Sequence, residues 1–353
     1  MITKFSSLYA GHVDLGDMGQ EATPANERRY PNEHLTSVFE KTEALARAMD
    51  ERGYYALWLA EHHFQHEGYE CVPNILMLAV HLAHVTRRLR FACGFNITPM
   101  WHPLRLAEDF ATADILTGGR VIFGVGRGYH TREVETLGGP MLDAEANREL
   151  FEEQVEVLMK AFHEESFSHH GKHYTLPPAV PYRGYELREI TLVPRPLRRP
   201  VECWQPIVSA SPRGLDFMVK HRIKGIIGGG AATMAERPIQ AYREAAARAG
   251  VNLGLGEDLC LASSSTSPRP GKRRSARRLH GSRSTSRCSR RSASFPASPR
   301  RRSARPRSAE TGPGRASPRS PTSRRRGRGS AVRPRSSSRI SGASRTSTRV
   351  SST

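Results

Sequence analysis

The first feature of the chain is an uncharged run that ends at polar residues. Residues 54–60 carry no charge, follow Gly53, and are followed directly by Glu61, His62 and His63. A short, nearly continuous apolar run between turn signals is typical of a strand that is buried on both faces, as in a parallel sheet. Proteins with parallel α/β sheets place reactive groups at the carboxyl ends of such strands. This stretch therefore predicts a strand that ends at a candidate active site.

Helical periodicity separates this strand from its neighbours. In residues 32–52, apolar side chains recur at three- and four-residue steps, and Gly53 follows as a C-terminal cap. Similar patterns predict strands over 3–10, 54–60, 89–97, 121–125, 206–210, 224–227 and 258–262, with 187–193 as a further candidate, and helices over 32–52, 74–86, 102–116, 147–162, 214–221 and 233–249. The alternation of the two patterns indicates βαβ units and a parallel sheet.

The composition changes after residue 262. From Ser263 onward the chain consists mainly of Ser, Arg, Pro, Ala and Gly without hydrophobic periodicity, which predicts a disordered tail over 263–353. Of the 54 basic and 34 acidic residues, 26 basic residues and one acid lie in 261–353, so residues 1–260 carry a net charge of −5. The net charge of +20 therefore belongs to the tail, and residues 1–262 are predicted to form the globular domain.

The basic residues of the tail are almost all arginine. Lys272 is the single lysine beside 25 arginines, as expected when a GC-rich gene is translated out of frame. Our hypothesis is a frameshift near codon 262, and resequencing tests it, because restoring one base should yield a seventh and an eighth βα unit. The alternative is an evolved arm that binds nucleic acid. That binding would be non-specific and salt-dependent, since Phe295 is the only aromatic residue there.

The cysteines and the N-terminus suggest where the protein resides. Five cysteines, an odd number without a C-x-x-C pair, favour reduced thiols over a disulfide framework. The first residues lack the basic and apolar blocks of a signal peptide, and no run of 18 apolar residues occurs. We therefore expect a soluble cytoplasmic protein.

Candidate chemistry begins at the end of the second strand. A carboxylate beside imidazoles can exchange protons or hydrogen-bond a ligand oxygen, so Glu61 and His62 are candidate catalytic residues. A structural histidine pair is the alternative for His62 and His63. The H-E-x-x-H order is absent, and adjacent side chains at a strand end diverge. We therefore expect no metal there.

Two later segments suit an anionic ligand. Gly124, Gly126 and Gly128 let the backbone approach a ligand, and Arg127 lies between two of them, in position for a phosphate. Because G-x-G-x-x-G is not completed, a dinucleotide fingerprint is not supported. Ser211 enters a predicted helix, where a hydroxyl and unpaired amides suit an anion. An ordinary helix N-cap is the alternative.

Together, residues 58–64, 102–109 and 119–128, with Leu137 and Gly138, resemble the bacterial luciferase-like, flavin-dependent monooxygenase family. The resemblance covers residues 1–262. It implies an α/β fold, a TIM-type (β/α)8 barrel. The family holds reduced FMN, or in relatives the deazaflavin F420, at the carboxyl ends of the strands.

The resemblance also implies roles for individual residues. His62 resembles the histidine beside the flavin that supports the peroxyflavin intermediate and proton transfer. Arg127 resembles a ligand of the flavin phosphate and Ser211 a second one, and the loop around Asn96 and Thr98 would border the isoalloxazine ring. The predicted cofactor-binding residues are Asn96, Thr98, Arg127, Gly128 and Ser211.

The implied activity is a monooxygenase that uses reduced FMN and O2 on a small organic substrate, with a flavin reductase as partner and a homodimer as a common assembly of the family. An F420-dependent dehydrogenase on the same barrel and an inactive frameshifted copy are alternatives. The last quarter of the barrel is not recognisable, so the barrel is predicted to be incomplete at its C-terminal end. Exposed strand edges then predict an unstable or aggregating chain. A soluble, monodisperse preparation with a cooperative melt would count against that instability.

Overall fold

The computed structural model describes residues 4–15, 24–228 and 232–262. All of them lie in the first of two compact units, Met1–Lys272. The predicted disordered tail, 263–353, lies outside the described residues. None of the helices within the described ranges has the length and apolar character needed to cross a membrane.

The main sheet is parallel and is curled into an incomplete barrel, as the sequence predicted. Its strands are β1 (Ser6–Tyr9), β2 (Ala56–Leu59), β3 (Arg90–Cys93), β4 (Asn96–Ile97), β5 (Val121–Gly126), β10 (Cys203–Pro206), β11 (Lys224–Ile227) and β12 (Leu259–Leu261). Their order in the sheet is β1-β2-β3-β5-β10-β11-β12, with β4 paired to β5, and no ladder among the described residues joins β1 to β12. Two short antiparallel pairs lie between β5 and β10 in the chain: β6 (His169–His170) with β7 (Thr175–Leu176), and β8 (Pro181–Tyr182) with β9 (Tyr185–Glu186).

Helices connect most of the parallel strands. They are α1 (Asn32–Glu51), α2 (Ile75–His84), α3 (Pro103–Leu116), α4 (Thr131–Thr136), α5 (Ala144–His163), α6 (Pro212–Lys220) and α7 (Ala232–Arg248), with short 3-10 turns at Ala25–Glu27 and Thr98–Met100. Six of the seven helices within the described residues were predicted, and the exception is the six-residue α4.

Side chains alternate between the two faces of the sheet, as the two-residue period of a strand requires. Leu57, Phe91 and Phe123 belong to the large core cluster, which includes residues of the helices. Their neighbours Trp58 and Ala92 belong to a second, smaller cluster. The sheet is therefore apolar on both faces, which explains the continuous apolar runs in the sequence.

Three predicted strands differ from the structure. The fifth barrel strand is Cys203–Pro206 rather than 206–210, since Ala210 has a left-handed φ of +46°, which an extended strand excludes. The stretch 89–97 is interrupted after Cys93 and resumes at Asn96. Residues 187–193 form no strand, and only Ile190 makes an isolated bridge.

Asp50 links the C-terminal end of α1 to the segment before β3 by hydrogen bonds. Its carboxylate accepts hydrogen bonds from the backbone N–H groups of Arg87, Arg88 and Leu89 at 2.9, 2.8 and 2.7 Å. Burial alone would raise the pKa of Asp50, but these three donors lower it below its usual value. The carboxylate therefore stabilises the fold in its charged form.

Asp50→Ala is expected to lower the free energy of unfolding by about 1–3 kcal/mol at neutral pH, because three donors lose a charged acceptor. A lowered folded-state pKa gives stability that is present above the unfolded value of about 3.9 and is lost as pH falls through the folded value. Urea unfolding at several pH values should show the difference from wild type shrinking in acid. A difference that is independent of pH would contradict this role.

Candidate active site

A cavity of about 530 Å³ lies at the carboxyl ends of the strands. That volume is within the range of small-molecule and cofactor sites. Apolar residues from several elements line much of it, including Leu8, Phe95, Ile97, Ile207, Leu215 and Met218. Its polar lining includes Glu61, His62, Glu70, Arg127, Arg148 and Ser211. Four of the seven predicted site residues (Glu61, His62, Arg127 and Ser211) are in that polar group, and Gly128 also lines the cavity.

Glu61 follows β2 and is 1% exposed. One carboxylate oxygen accepts a hydrogen bond from the Ile97 backbone N–H at 2.9 Å. The other accepts one from Trp101 Nε1 at 2.8 Å and lies 3.0 Å from His63 Nε2. Glu61 therefore holds β4 and the Trp101 ring in place, although it also borders the cavity.

His62 is buried between two carboxylates. Its Nδ1 lies 3.2 Å from both oxygens of Glu133, and its Nε2 lies 3.3 Å from Glu70 Oε2. The hydroxyl of Tyr129 is 3.4 Å from the same Nε2. A carboxylate on Nδ1 fixes the orientation of an imidazole, so His62 presents Nε2 to the side of the cavity that Glu70 and Tyr129 line.

Glu133 lies in α4 and is 2% exposed. Gln65 Nε2 donates to it at 2.7 Å and also donates to Glu70 at 3.2 Å. Burial would raise the pKa of Glu133, but the hydrogen bonds from His62 and Gln65 lower it below its usual value. Glu133 is therefore a charged partner that positions His62.

Gly128 follows β5 and has a φ of +81°, a backbone conformation that residues with a side chain rarely adopt. A Cβ at this position would lie 2.6 Å from a methyl group of Val134 and 2.9 Å from one of Ile97. The absence of a side chain is what lets the backbone pass here at the edge of the cavity.

Arg127 is held by α5. Its Nε donates to Asn147 Oδ1 at 2.9 Å and its Nη2 donates to the Ala144 carbonyl at 2.8 Å. Asn147 Nδ2 in turn donates to the Arg127 carbonyl at 3.2 Å. Burial, and next the charge of Arg148, lowers the pKa of Arg127. Two guanidinium groups thus lie close together at one end of the cavity.

The N-terminus of α6 faces the same end of the cavity. Ser211 is its N-cap, and the hydroxyl accepts a weak hydrogen bond from the Gly214 N–H at 3.4 Å. Ser211, Gly214 and Arg148 all line the cavity, and a Cβ on Gly214 would lie 3.8 Å from Arg148 Nη1. Ser211 is therefore a helix N-cap, which was the alternative to an anion-binding residue, and it also lines the cavity.

Asn96 and Thr98 are not in the cavity lining. Phe95 and Ile97 line it, and the alternation of side chains along the chain turns Asn96 and Thr98 away. Asn96 is fully buried and donates to the Gly124 carbonyl at 3.0 Å, which ties β4 to β5. The predicted contact of these two residues with a flavin ring stays a prediction.

The structure also brings in residues that the sequence analysis did not select. Glu133 and Arg148 lie in helices distant in sequence from the residues they approach, and Glu70 lies in the loop that follows His62. The one available signal was for Arg148, which follows a helix N-cap at Asp143 and forms an i,i+4 pair with Glu152. Residues such as Glu70 and Glu133 give no local pattern.

Comparison with known proteins gives the family. The model of the luciferase-like monooxygenases matches residues 17–278. The chain belongs to this family. The resemblance found in the sequence is thereby confirmed.

Two relatives illustrate the range of the family. The chain is 26% identical over 196 residues to the oxygenase component of a flavin-dependent trigonelline monooxygenase from Acinetobacter baylyi, covering 55% of this chain and 50% of that protein. It is 28% identical over 156 residues to an alkanal monooxygenase alpha chain from Photorhabdus luminescens, covering 44% and 43%. The chain spans about half the length of the curated relatives it matches, or less.

Solved structures share the fold. The oxygenating constituent of 3,6-diketocamphane monooxygenase from Pseudomonas putida, in complex with FMN, gives a TM-score of 0.56 at 19% identity, covering 74% of this chain and 66% of that one. An F420-dependent secondary alcohol dehydrogenase gives 0.52 at 16% identity, covering 74% and 68%. At these identities the likeness shows the fold alone.

Proposed function

We propose that this family member is a flavin-dependent monooxygenase that uses reduced FMN and O2 to oxidise a small organic substrate. The observation that carries the proposal is a cavity with Arg127, Arg148 and the N-terminus of α6 at one end and His62 at its wall. Cationic and amide donors suit a phosphate, and the apolar walls suit a planar ring.

The residues present fit FMN. Two guanidinium groups and the Ser211 hydroxyl at the N-terminus of α6 form a donor set for a phosphate dianion. A side chain on Gly214 would fill the space beside Ser211 Oγ and Arg148, so the glycine leaves room at this donor set. When bound, the reduced flavin supplies the electrons and activates O2, while the protein orients the ring and excludes water.

His62 is the residue that we propose to exchange protons at the flavin. Glu133 holds Nδ1, so Nε2 is the atom that accepts or donates a proton at the wall of the cavity. Glu61 has both carboxylate oxygens engaged by Ile97, Trp101 and His63, and we assign it to positioning rather than to proton transfer.

We further propose a separate reductase as the source of reduced FMN. The relative from Acinetobacter baylyi is named as an oxygenase component. If a second protein reduces the flavin, this site must bind reduced FMN from solution. The positive charges of Arg127 and Arg148 would attract its phosphate.

Anaerobic titration with reduced FMN tests this function. Arg127→Ala and Arg148→Ala should each weaken binding about tenfold to a hundredfold, because each removes a charged hydrogen-bond donor to the phosphate. Arg105→Ala is the matched control, since Arg105 is an exposed helix residue paired with Glu108. It should bind as wild type does.

Two other outcomes of the titration would contradict the proposal. Wild-type binding that neither substitution weakens would contradict the phosphate site at Arg127 and Arg148. A folded wild type that binds no reduced FMN would contradict the FMN assignment, and the same titration with reduced F420 would then test the dehydrogenase alternative.

A further inference from the structure

The contacts around His62 contain an electrostatic conflict. Glu133 faces Nδ1 at 3.2 Å and Glu70 Oε2 faces Nε2 at 3.3 Å, so a neutral imidazole can donate its one proton to only one of the two carboxylates. The other ring nitrogen then directs a lone pair at a carboxylate oxygen. A proton on Nε2, or a metal ion between Nε2 and Glu70, would remove that conflict.

A second imidazole meets the same oxygen. His130 Nε2 lies 3.5 Å from Glu70 Oε2, and one ligand atom from each of His62, Glu70 and His130 lies within 4.8 Å of the others. Ligands at about 2.0–2.1 Å from a tetrahedral Zn²⁺ are about 3.3–3.4 Å apart. The two separations that involve Glu70 therefore already match the edges of such a site.

We propose that His62, Glu70 and His130 form a binding site for a divalent transition-metal ion, of which Zn²⁺ is the type, on the wall of the cavity. Because the ion would occupy His62 Nε2, the atom that the proposed function assigns to proton exchange, a bound ion would inhibit that reaction. No metal was expected at Glu61, His62 and His63, since the H-E-x-x-H order is absent and adjacent side chains at a strand end diverge. His130 follows the carboxyl end of β5 and lies 68 residues after His62 in the sequence.

The surroundings of the site fit an ion. Glu133 on His62 Nδ1 completes the carboxylate–histidine–metal arrangement that orients metal-bound imidazoles. Gln65 donates to Glu70 and Glu133 and so holds both carboxylates. Arg132 is paired with Glu67 at 2.7 Å, so its charge is already matched by a carboxylate other than these two.

The site is also accessible and leaves a position open. The side chain of His130 is 38% exposed and that of Glu70 is 21% exposed, so an ion can enter. His62 and Glu70 line the cavity, as does Tyr129, whose hydroxyl lies 3.4 Å from His62 Nε2. Three protein ligands with a fourth position toward a cavity is the pattern of zinc sites that bind a water or a small ligand.

The test is a titration of the chelator-treated full chain with Co²⁺, followed by its visible absorption, and then displacement by Zn²⁺. We expect a tight site that Zn²⁺ competes for. Glu70→Gln and His130→Ala should each weaken it tenfold or more. Glu133→Gln should do the same through the orientation of His62, since loss of a carboxylate that orients a metal-bound imidazole typically costs about 10–100-fold in affinity. His81→Ala is the control, because it removes an exposed histidine paired with Glu43 at 3.0 Å, and it should change nothing.

The substitutions decide the result rather than binding by wild type alone, because the tail contains His280 and Cys288. His130 is the N-cap of α4 without a side-chain cap hydrogen bond, so its replacement should leave the backbone intact, which circular dichroism checks. The metal site would be overturned if the wild type binds no Co²⁺. It would also be overturned if the folded Glu70→Gln and His130→Ala proteins bind Co²⁺ as tightly as wild type does. No step of this titration requires flavin, so its failure would leave the proposed function untouched.

Discussion

Replacing Gly124 with alanine is expected to lower the free energy of unfolding by about 3 kcal/mol or more. The new Cβ would lie 2.1 Å from the backbone oxygen of Cys93 and 3.0 Å from the ring of Phe95. Cys93 pairs with Leu59 in the sheet, so its carbonyl cannot move aside without disturbing β2 and β3. Overpacking against backbone is more costly than against the end of a flexible side chain.

Gly228→Ala is the matched control for this substitution. Among the described residues, no atom lies within 4 Å of the Cβ position at Gly228, and its φ is not in the left-handed region. Urea unfolding followed by circular dichroism should place the control close to wild type and leave Gly124→Ala largely insoluble or with a much lower midpoint. A Gly124→Ala protein as stable as the control would show that β5 does not approach β3 as closely as described.

Glu61→Ala is expected to destabilise the fold by about 3 kcal/mol or more, although the residue borders the cavity. The change leaves the Ile97 N–H and the Trp101 indole N–H without their acceptor in a buried position. Each buried donor left without a partner costs about 1–3 kcal/mol. Thermal and urea unfolding measure the loss.

Glu135→Ala provides the comparison for Glu61. Glu135 also accepts a hydrogen bond from a backbone N–H, that of Leu142, but the pair is exposed. Its loss should cost less than about 1 kcal/mol. If Glu61→Ala keeps its stability and binds reduced FMN but loses turnover, Glu61 is the catalytic residue that the sequence analysis predicted, and the positioning role is wrong.

Segments with a strong local period were predicted well. The helix predicted over 32–52 is observed as Asn32–Glu51, and the strand 224–227 is observed with the same bounds. In both elements, burial against the neighbouring layer of the fold sets the spacing of the apolar residues. His62, Arg127 and Gly128 border the cavity because each comes shortly after the end of a strand that the sequence predicts, and Ser211 borders it as the N-cap of a predicted helix.

The remainder of the site depends on distances that a linear pattern does not encode. Asn96 and Thr98 do not line the cavity, and the sequence could not show this, because the strand breaks at Gly94 and Phe95 and the face of each later residue cannot be counted from Leu89. Glu133 reaches His62 across 71 positions from a helix of six residues. Such a short helix has too few turns to show a period.

The reciprocal bonding between Arg127 and Asn147 also affects the thermodynamics of ligand capture. Two of the five N–H groups of the guanidinium are already committed to Asn147 and to the Ala144 carbonyl. The rotamer entropy of this long side chain is therefore lost when the protein folds, rather than when an anion arrives. A cation held in this way gives up little further freedom on binding, so more of its attraction for an anion is retained as affinity.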